Sequence, residues 1–255
     1  MSISWTARVP ILVFVAACAS SEVEPIGAPA VDSAAVPPPV ERVEMPVASV
    51  VETPQRVPPT LAELRAHPRV VAQAEDLARD HRTVRVGLQR AEQFFDMIEA
   101  ELLAHGLPRE LAFVPMVESV FHPDARSRRA VGLWQFTAGT ARAYGLQVGE
   151  GIDERRDPEK STQAAVRYLR DLHARFGSWE LALAAYNAGP SRVGRALARL
   201  PGGSFWELSE AGLLPPITRL YVPKVIGSAL VADEPERFGL VLPDGLAAVA
   251  FSLAG

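Results

Sequence analysis

The sequence predicts a mainly α fold with at most a small β-hairpin, preceded by a disordered proline-rich tether. Beyond residue 60, apolar residues recur at intervals of three and four, the spacing that lines one face of a helix. No alternating apolar and polar run of useful length marks a strand, although the segment from Arg128 to Gln135 has room for a short hairpin. The stretch from Ala19 to Thr60 holds nine prolines, no leucine and no aromatic residue, so it cannot bury enough apolar area to offset the entropy of ordering it. At 255 residues and 48% hydrophobic content, one core-bearing domain plus extensions accounts for the length.

The first residues carry Arg8, an apolar stretch from Ile11 to Ala17 and then Cys18. That stretch falls short of the roughly 20 apolar residues of a membrane span and suits a secretory signal. Val15-Ala16-Ala17-Cys18 resembles a bacterial lipobox, which implies that residues 1–17 are removed and that Cys18 is lipidated. A lipid also gives a use to the one cysteine of the chain, which has no internal disulfide partner. The alternative is an ordinary signal peptide cut nearby. Ala19, rather than an aspartate, after the cysteine implies sorting to the outer membrane, with the protein facing the periplasm. Pro37-Pro38-Pro39 and Pro58-Pro59 favour polyproline II, at about 3.1 Å per residue, so the tether of residues 18–60 has the reach to hold a domain away from a lipid surface.

Leu88, Ala91, Phe95, Ile98 and Leu102 form one apolar stripe ending at Gly106, which predicts a core helix. Pro108 suits the first turn of the next helix, running to about Ser119 with Pro115 as a kink or restart. Glu118 then falls near a helix C-terminus. The negative end of the helix dipole and the apolar neighbours Phe113, Val117, Val120 and Phe121 both raise a carboxyl pKa, as a general acid requires. Asp157-Pro158 reads as a cap and first turn for a helix whose face carries Ala165, Tyr168, Leu169, Leu172 and Phe176, stopping at Gly177. Ser178 caps a further helix through Tyr186, and Asn187-Ala188-Gly189-Pro190 ends it.

Charge and metal-ligand patterns exclude other classes. Cutting before Cys18 removes Arg8 and no acid, leaving 25 basic against 30 acidic residues, net −5, so no basic face for nucleic acid is indicated. Arg126, Arg128 and Arg129 are the one basic cluster, a solvated loop or a clamp for an acidic polymer. His67, His81, His105, His122 and His173 are scattered, with no His-Glu-x-x-His pattern, so no metal site is expected, and no phosphate-cradling loop or other cofactor motif is present. Trp134, Trp179 and Trp206 have the shape to stack on sugars but are better read as packing.

Glycoside cleavage usually takes two carboxylates, one as acid and one as nucleophile or base. Beside Glu118 stand Asp124, Asp153, Glu154 and Asp157, none at a spacing that forces it to face Glu118. Five segments in this order nevertheless form a pattern: Leu111 to Ser119, Gly132 to Phe136, Asp153 to Lys160, Ala184 to Gly189, and Thr218 to Lys224. From Gly106 to Ser228 the chain resembles the lytic transglycosylases of the soluble type, and most closely their membrane-bound D branch, whose domain is goose-lysozyme-like. The resemblance implies cleavage of the β-1,4 bond between N-acetylmuramic acid and N-acetylglucosamine in peptidoglycan, with the sugar's own 6-hydroxyl as nucleophile. Glu118 would act as acid and then as base, leaving a 1,6-anhydro end. It also implies substrate roles for Ser127, Gln135, Tyr186, Asn187 and Tyr221, with the Tyr186 hydroxyl holding either Glu118 or the substrate, against plain readings of Ser127 as a turn residue, Gln135 as a loop-stabilising amide, and Tyr186 and Tyr221 as packed residues.

Two departures stand out. The loop from Ser127 to Gly132 is shorter than in relatives, and Ile217 occupies a position where they often carry a glutamate. The expected organisation is a signal peptide at 1–17, the tether at 18–60, a helical extension at 61–105, a transglycosylase domain at 106–230 and a tail at 231–255. The expected partners are peptidoglycan strands and, through Cys18, a membrane. Alternative functions are a goose-lysozyme-like muramidase that uses water, and a peptidoglycan-binding lipoprotein without turnover.

Overall fold

The computed structural model describes residues 59–241. Cys18, the lipobox-like motif, the tether up to residue 58 and the tail from 242 onward lie outside the described residues. Within them the fold is mainly α, as predicted, with two small antiparallel hairpins.

The predicted stripe from Leu88 to Leu102 is buried throughout, but it sits on two helices rather than one. Helix α2 (His81–Ala91) ends, the chain turns through Glu92, Gln93 and Phe94, and α3 (Phe95–Ala104) begins. The predicted helix after Pro108 is likewise two pieces. A 3-10 segment, Arg109–Phe113, hands over to α4 (Val114–Ser119), because Pro115 has no N–H to extend a single helix through that point and suits a first turn instead. Asp157 accepts from the Lys160 N–H at 3.0 Å and opens α6 (Pro158–Phe176), which closes at Gly177 in the left-handed region. Ser178 caps α7 (Trp179–Ala188) by accepting from Leu181 N–H.

The hairpin anticipated within 128–135 starts there but runs past it, pairing β1 (Ala130–Val131) with β2 (Phe136–Thr137), Ala130 opposite Thr137 and Val131 opposite Phe136. A second hairpin joins β3 (Val148–Gly149) to β4 (Ile152–Asp153). Strands of two residues carry no alternation, so neither hairpin has a strand signature in the sequence.

One apolar core holds these elements together. It includes Leu61 and Leu64, Val70 and Ala74 of α1 (Pro68–Arg79), the α2–α3 stripe, and most of α7 and of α10 (Pro216–Asp233). Helix α10 touches α1, α4, α7 and the Arg109–Phe113 segment, which makes it the axis of the fold. The helices before residue 106 therefore share the core of the rest. Arg65, ahead of α1, reinforces this by pairing with Asp233 at the far end of α10 and with Glu110 at 3.4 Å. Among the described residues no helix is long and apolar enough to cross a membrane.

Candidate active site

Glu118 is the penultimate residue of α4, and only 3% of its surface reaches solvent. Burial pushes its carboxyl from the ordinary 4.5 up to about 8, against the opposing pull of a hydrogen bond from Tyr221. Desolvation wins because one neutral donor replaces only part of the water shell that an ionised carboxylate loses. That donor is close: the Tyr221 hydroxyl donates to Glu118 Oε1 at 2.7 Å, across 103 positions of sequence. Tyr221 lies on α10 and is itself buried.

The chain leaves Glu118 by an unusual route. Val120 and Phe121 both adopt φ of 52°, in the left-handed region, at a cost of about 1–2 kcal/mol each for residues carrying a Cβ. Their N–H groups donate back to Met116 and Pro115, and Phe121 is fully buried, so packing and hydrogen bonds hold the turn.

Beside α4 lies the loop Gly132–Phe136, in which the carbonyls of Gly132, Leu133, Trp134 and Phe136 each accept from a side chain. Gln135 Nε2 donates to the Gly132 carbonyl (3.0 Å) and to that of Ala125 (3.1 Å). Ser119 Oγ donates to Leu133 (2.8 Å), Tyr186 Oη to Trp134 (2.8 Å), and Arg155 Nη1 to Phe136 (3.2 Å). Trp134 is fully buried, with Nε1 donating to Thr162 Oγ1 at 2.9 Å. Gly132 sits at φ 89° with the Arg155 carbonyl where a Cβ would stand, so no other residue fits there without displacing backbone.

The predicted site residues thus divide by position. Glu118 and Tyr221 touch, whereas the hydrogen bonds of Gln135 and Tyr186 described above shape the neighbouring loop. Asn187 is buried and accepts from Thr218 Oγ1 at 2.8 Å, tying α7 to the start of α10, three residues before Tyr221. Ser127 closes the short turn before β1: its Oγ donates to the Ala130 carbonyl (3.3 Å) and accepts the Ala130 N–H (3.1 Å). Ile217 lines a small apolar cavity of about 10 Å³ with Val117, Leu220, Tyr221 and Lys224. Trp179 stacks on His173 and Trp206 on His67, at ring separations of 4.0 and 3.7 Å.

The other carboxylates near Glu118 in sequence have other partners. Asp153 makes a two-pronged pair with Arg155 that holds its pKa down, and Glu154 accepts from Gln147 N–H and Lys160. Asp157 caps α6, and Asp124 is exposed, 3.6 Å from Arg156. This leaves Glu118 as the one of the five that is buried and held protonated at neutral pH.

Residues 96–208 match the model of the transglycosylase SLT domain family. Over 160 residues the chain is 38% identical to membrane-bound lytic murein transglycosylase D of Escherichia coli, covering 60% of this chain and 34% of that protein. It is 35% identical over 153 residues to peptidoglycan transglycosylase gp16 of Escherichia phage T7, covering 58% of this chain and 11% of the phage protein. A membrane-bound lytic murein transglycosylase F 2 from Alkalilimnicola ehrlichii is 34% identical over 135 residues, 49% of this chain and 28% of the relative. The chain thus spans about a third of the length of the D relative. The SLT match contains Glu118 and the Gly132–Phe136 loop but stops before Tyr221.

Two features of the site escaped the sequence. Arg69 and Arg90, on α1 and α2, reach the backbone on either side of the Glu118–Tyr221 pair. The one available signal was Pro223, inside a helix, which must leave the carbonyl four residues earlier in need of a donor.

Proposed function

We propose that the chain is a peptidoglycan lytic transglycosylase, with Glu118 as the single acid and base. The carrying observation is a buried carboxyl, protonated up to about pH 8, with one oxygen occupied by the Tyr221 hydroxyl. Because Oε1 accepts that hydrogen bond, the transferable proton resides on Oε2. Glu118 gives it to the glycosidic oxygen as the bond between N-acetylmuramic acid and N-acetylglucosamine breaks. The carboxylate so formed keeps the Tyr221 hydrogen bond, which favours the ionised form until Glu118 takes the proton of the sugar's 6-hydroxyl. That hydroxyl closes on the anomeric carbon to give the 1,6-anhydro end.

Two further facts support one acid over two. The neighbouring acids Asp153, Glu154 and Asp157 are committed to arginine, lysine or backbone partners, and Asp124 is exposed beside Arg156. The relatives are named as transglycosylases of murein or peptidoglycan. In this reading Gln135 and Tyr186 set the loop against which the glycan lies, while Ser127 and Asn187 fix its two flanks. The chain works at the envelope, as a lipoprotein of the outer membrane anchored through Cys18, a placement supported by the membrane-bound names of relatives and by the Val15–Cys18 motif.

Incubation of isolated peptidoglycan with wild-type protein and with Glu118→Gln tests the reading. Wild type should release soluble muropeptides, and the variant should lose about 10² to 10⁴ of the rate. Equal release by both would remove Glu118 from the chemistry.

A further inference from the structure

We propose that Arg69 and Arg90, in the two helices that precede the SLT match, are positioning residues that hold Tyr221 and Glu118 against each other from opposite sides. Each donates to a backbone carbonyl, and the Arg69 guanidinium also lies over the Trp206 ring, 5.5 Å from its centre. Pro223 has no N–H, so within α10 the Arg219 carbonyl loses its usual partner four residues on. Arg69 Nη2 donates to that carbonyl at 3.3 Å, two residues from Tyr221. On α4 the left-handed turn after Glu118 points the Val120 carbonyl out of the helix, and Arg90 Nη1 donates to it at 3.2 Å, again two residues from the reacting side chain. Helix α2 lies directly on this turn. A Cβ on Gly87 would overlap Met116 Sδ and stand 3.1 Å from Val120 Cγ1.

The arginines work through backbone geometry. Burial keeps Glu118 protonated and the Tyr221 hydroxyl pulls the other way, with no arginine charge among the causes. The ionisable group that meets the carboxyl is Tyr221 from α10. Loss of either clamp would loosen one arm of a 2.7 Å contact, which alone raises the Glu118 pKa, and admit water to a carboxyl that is closed to it, which lowers it by more because burial is the larger cause of the shift. The acid would then ionise at lower pH and be less often charged with its proton.

Steady-state cleavage of solubilised glycan strands across pH is the test, and this part rests on the transglycosylase reading. Arg90→Met, which keeps the aliphatic stem and removes the donors, should lower kcat about tenfold with KM near wild type. Its alkaline limb should move acidward by about one pH unit. Arg90→Lys and Arg90→Gln, which still donate, should recover most of the rate. Arg69→Met should behave alike, and adding Pro223→Ala should restore it, because an alanine N–H serves the Arg219 carbonyl from within the helix. A merely structural arginine would lower thermal stability and leave the pH profile in place. Wild-type kcat and pH profile in the two methionine variants, or no recovery from Pro223→Ala, would overturn the proposal. Should wild type cleave no peptidoglycan, the transglycosylase reading falls alone. The Glu118 titration midpoint, followed by the ¹³C shift of its carboxyl, then decides: a midpoint moved from about 8 toward 4.5 in Arg90→Met supports the clamp, and an unmoved one refutes it.

Discussion

Tyr221 and Glu118, 103 residues apart, meet through a 2.7 Å hydrogen bond from the phenol to Oε1 of the carboxyl. The bond joins α4 to the axial helix α10, so the orientation of the acid depends on how α10 packs. Tyr221→Phe keeps the ring and removes the donor. Since that donor lowers the Glu118 pKa, its loss should carry the alkaline limb of the pH profile above about 8. Activity should fall by about tenfold or more, the worth of one hydrogen bond to a charged group. An acidward limb would show that the hydroxyl does not favour the carboxylate.

Stability should also report the buried acid. Well below pH 4.5 Glu118 is neutral both folded and unfolded and adds no pH dependence to stability. Between 4.5 and about 8 the unfolded chain ionises and the native one does not, so stability falls by about 1.4 kcal/mol per pH unit and levels off above 8. Glu118→Gln abolishes this slope. Urea midpoints should favour the variant more at pH 8.5 than at pH 5, whereas a constant difference would place the native pKa near its ordinary value.

The loop carbonyls depend on Gly132. Gly132→Ala sets a Cβ against the Arg155 carbonyl at a φ of 89°, combining overlap with left-handed strain. A loss of at least about 3 kcal/mol is expected, with poor folding as its visible form. A variant as stable as wild type by thermal melting would mean that the β1–β2 loop can relax.

The helical class, the buried stripe, the Asp157 and Ser178 caps and Glu118 near a helix end were legible because each rests on local spacing or a single capping residue. The breaks at 92–94 and after Phe113 were less so, since the apolar period carries on across them. Tertiary partnership was not legible at all. Nothing local distinguishes Tyr221 from Tyr186 as the phenol that meets Glu118 in this structure, because the answer lies in the packing of α10. For the same reason Gln135 and Tyr186 read as site residues in sequence and serve backbone carbonyls in the fold. Desolvation, more than the helix terminus, proves to be the leading cause of the raised pKa.

Anchoring is testable apart from catalysis. If Cys18 carries lipid, full-length protein expressed in a Gram-negative host should sediment with membranes, and Cys18→Ser should release it to the soluble periplasmic fraction. Wild type found wholly soluble would contradict the anchor and leave the proposed chemistry untouched.

Digestion in heavy-oxygen water tests the central claim most directly. If Glu118 serves as both acid and base on the sugar's own 6-hydroxyl, the products end in 1,6-anhydro-N-acetylmuramic acid, one water lighter than hydrolysis products, with no heavy oxygen at the cleaved end. Reducing ends carrying the label would contradict the account and show that a carboxylate, with Asp124 and Asp153 the first to examine, directs water to the bond.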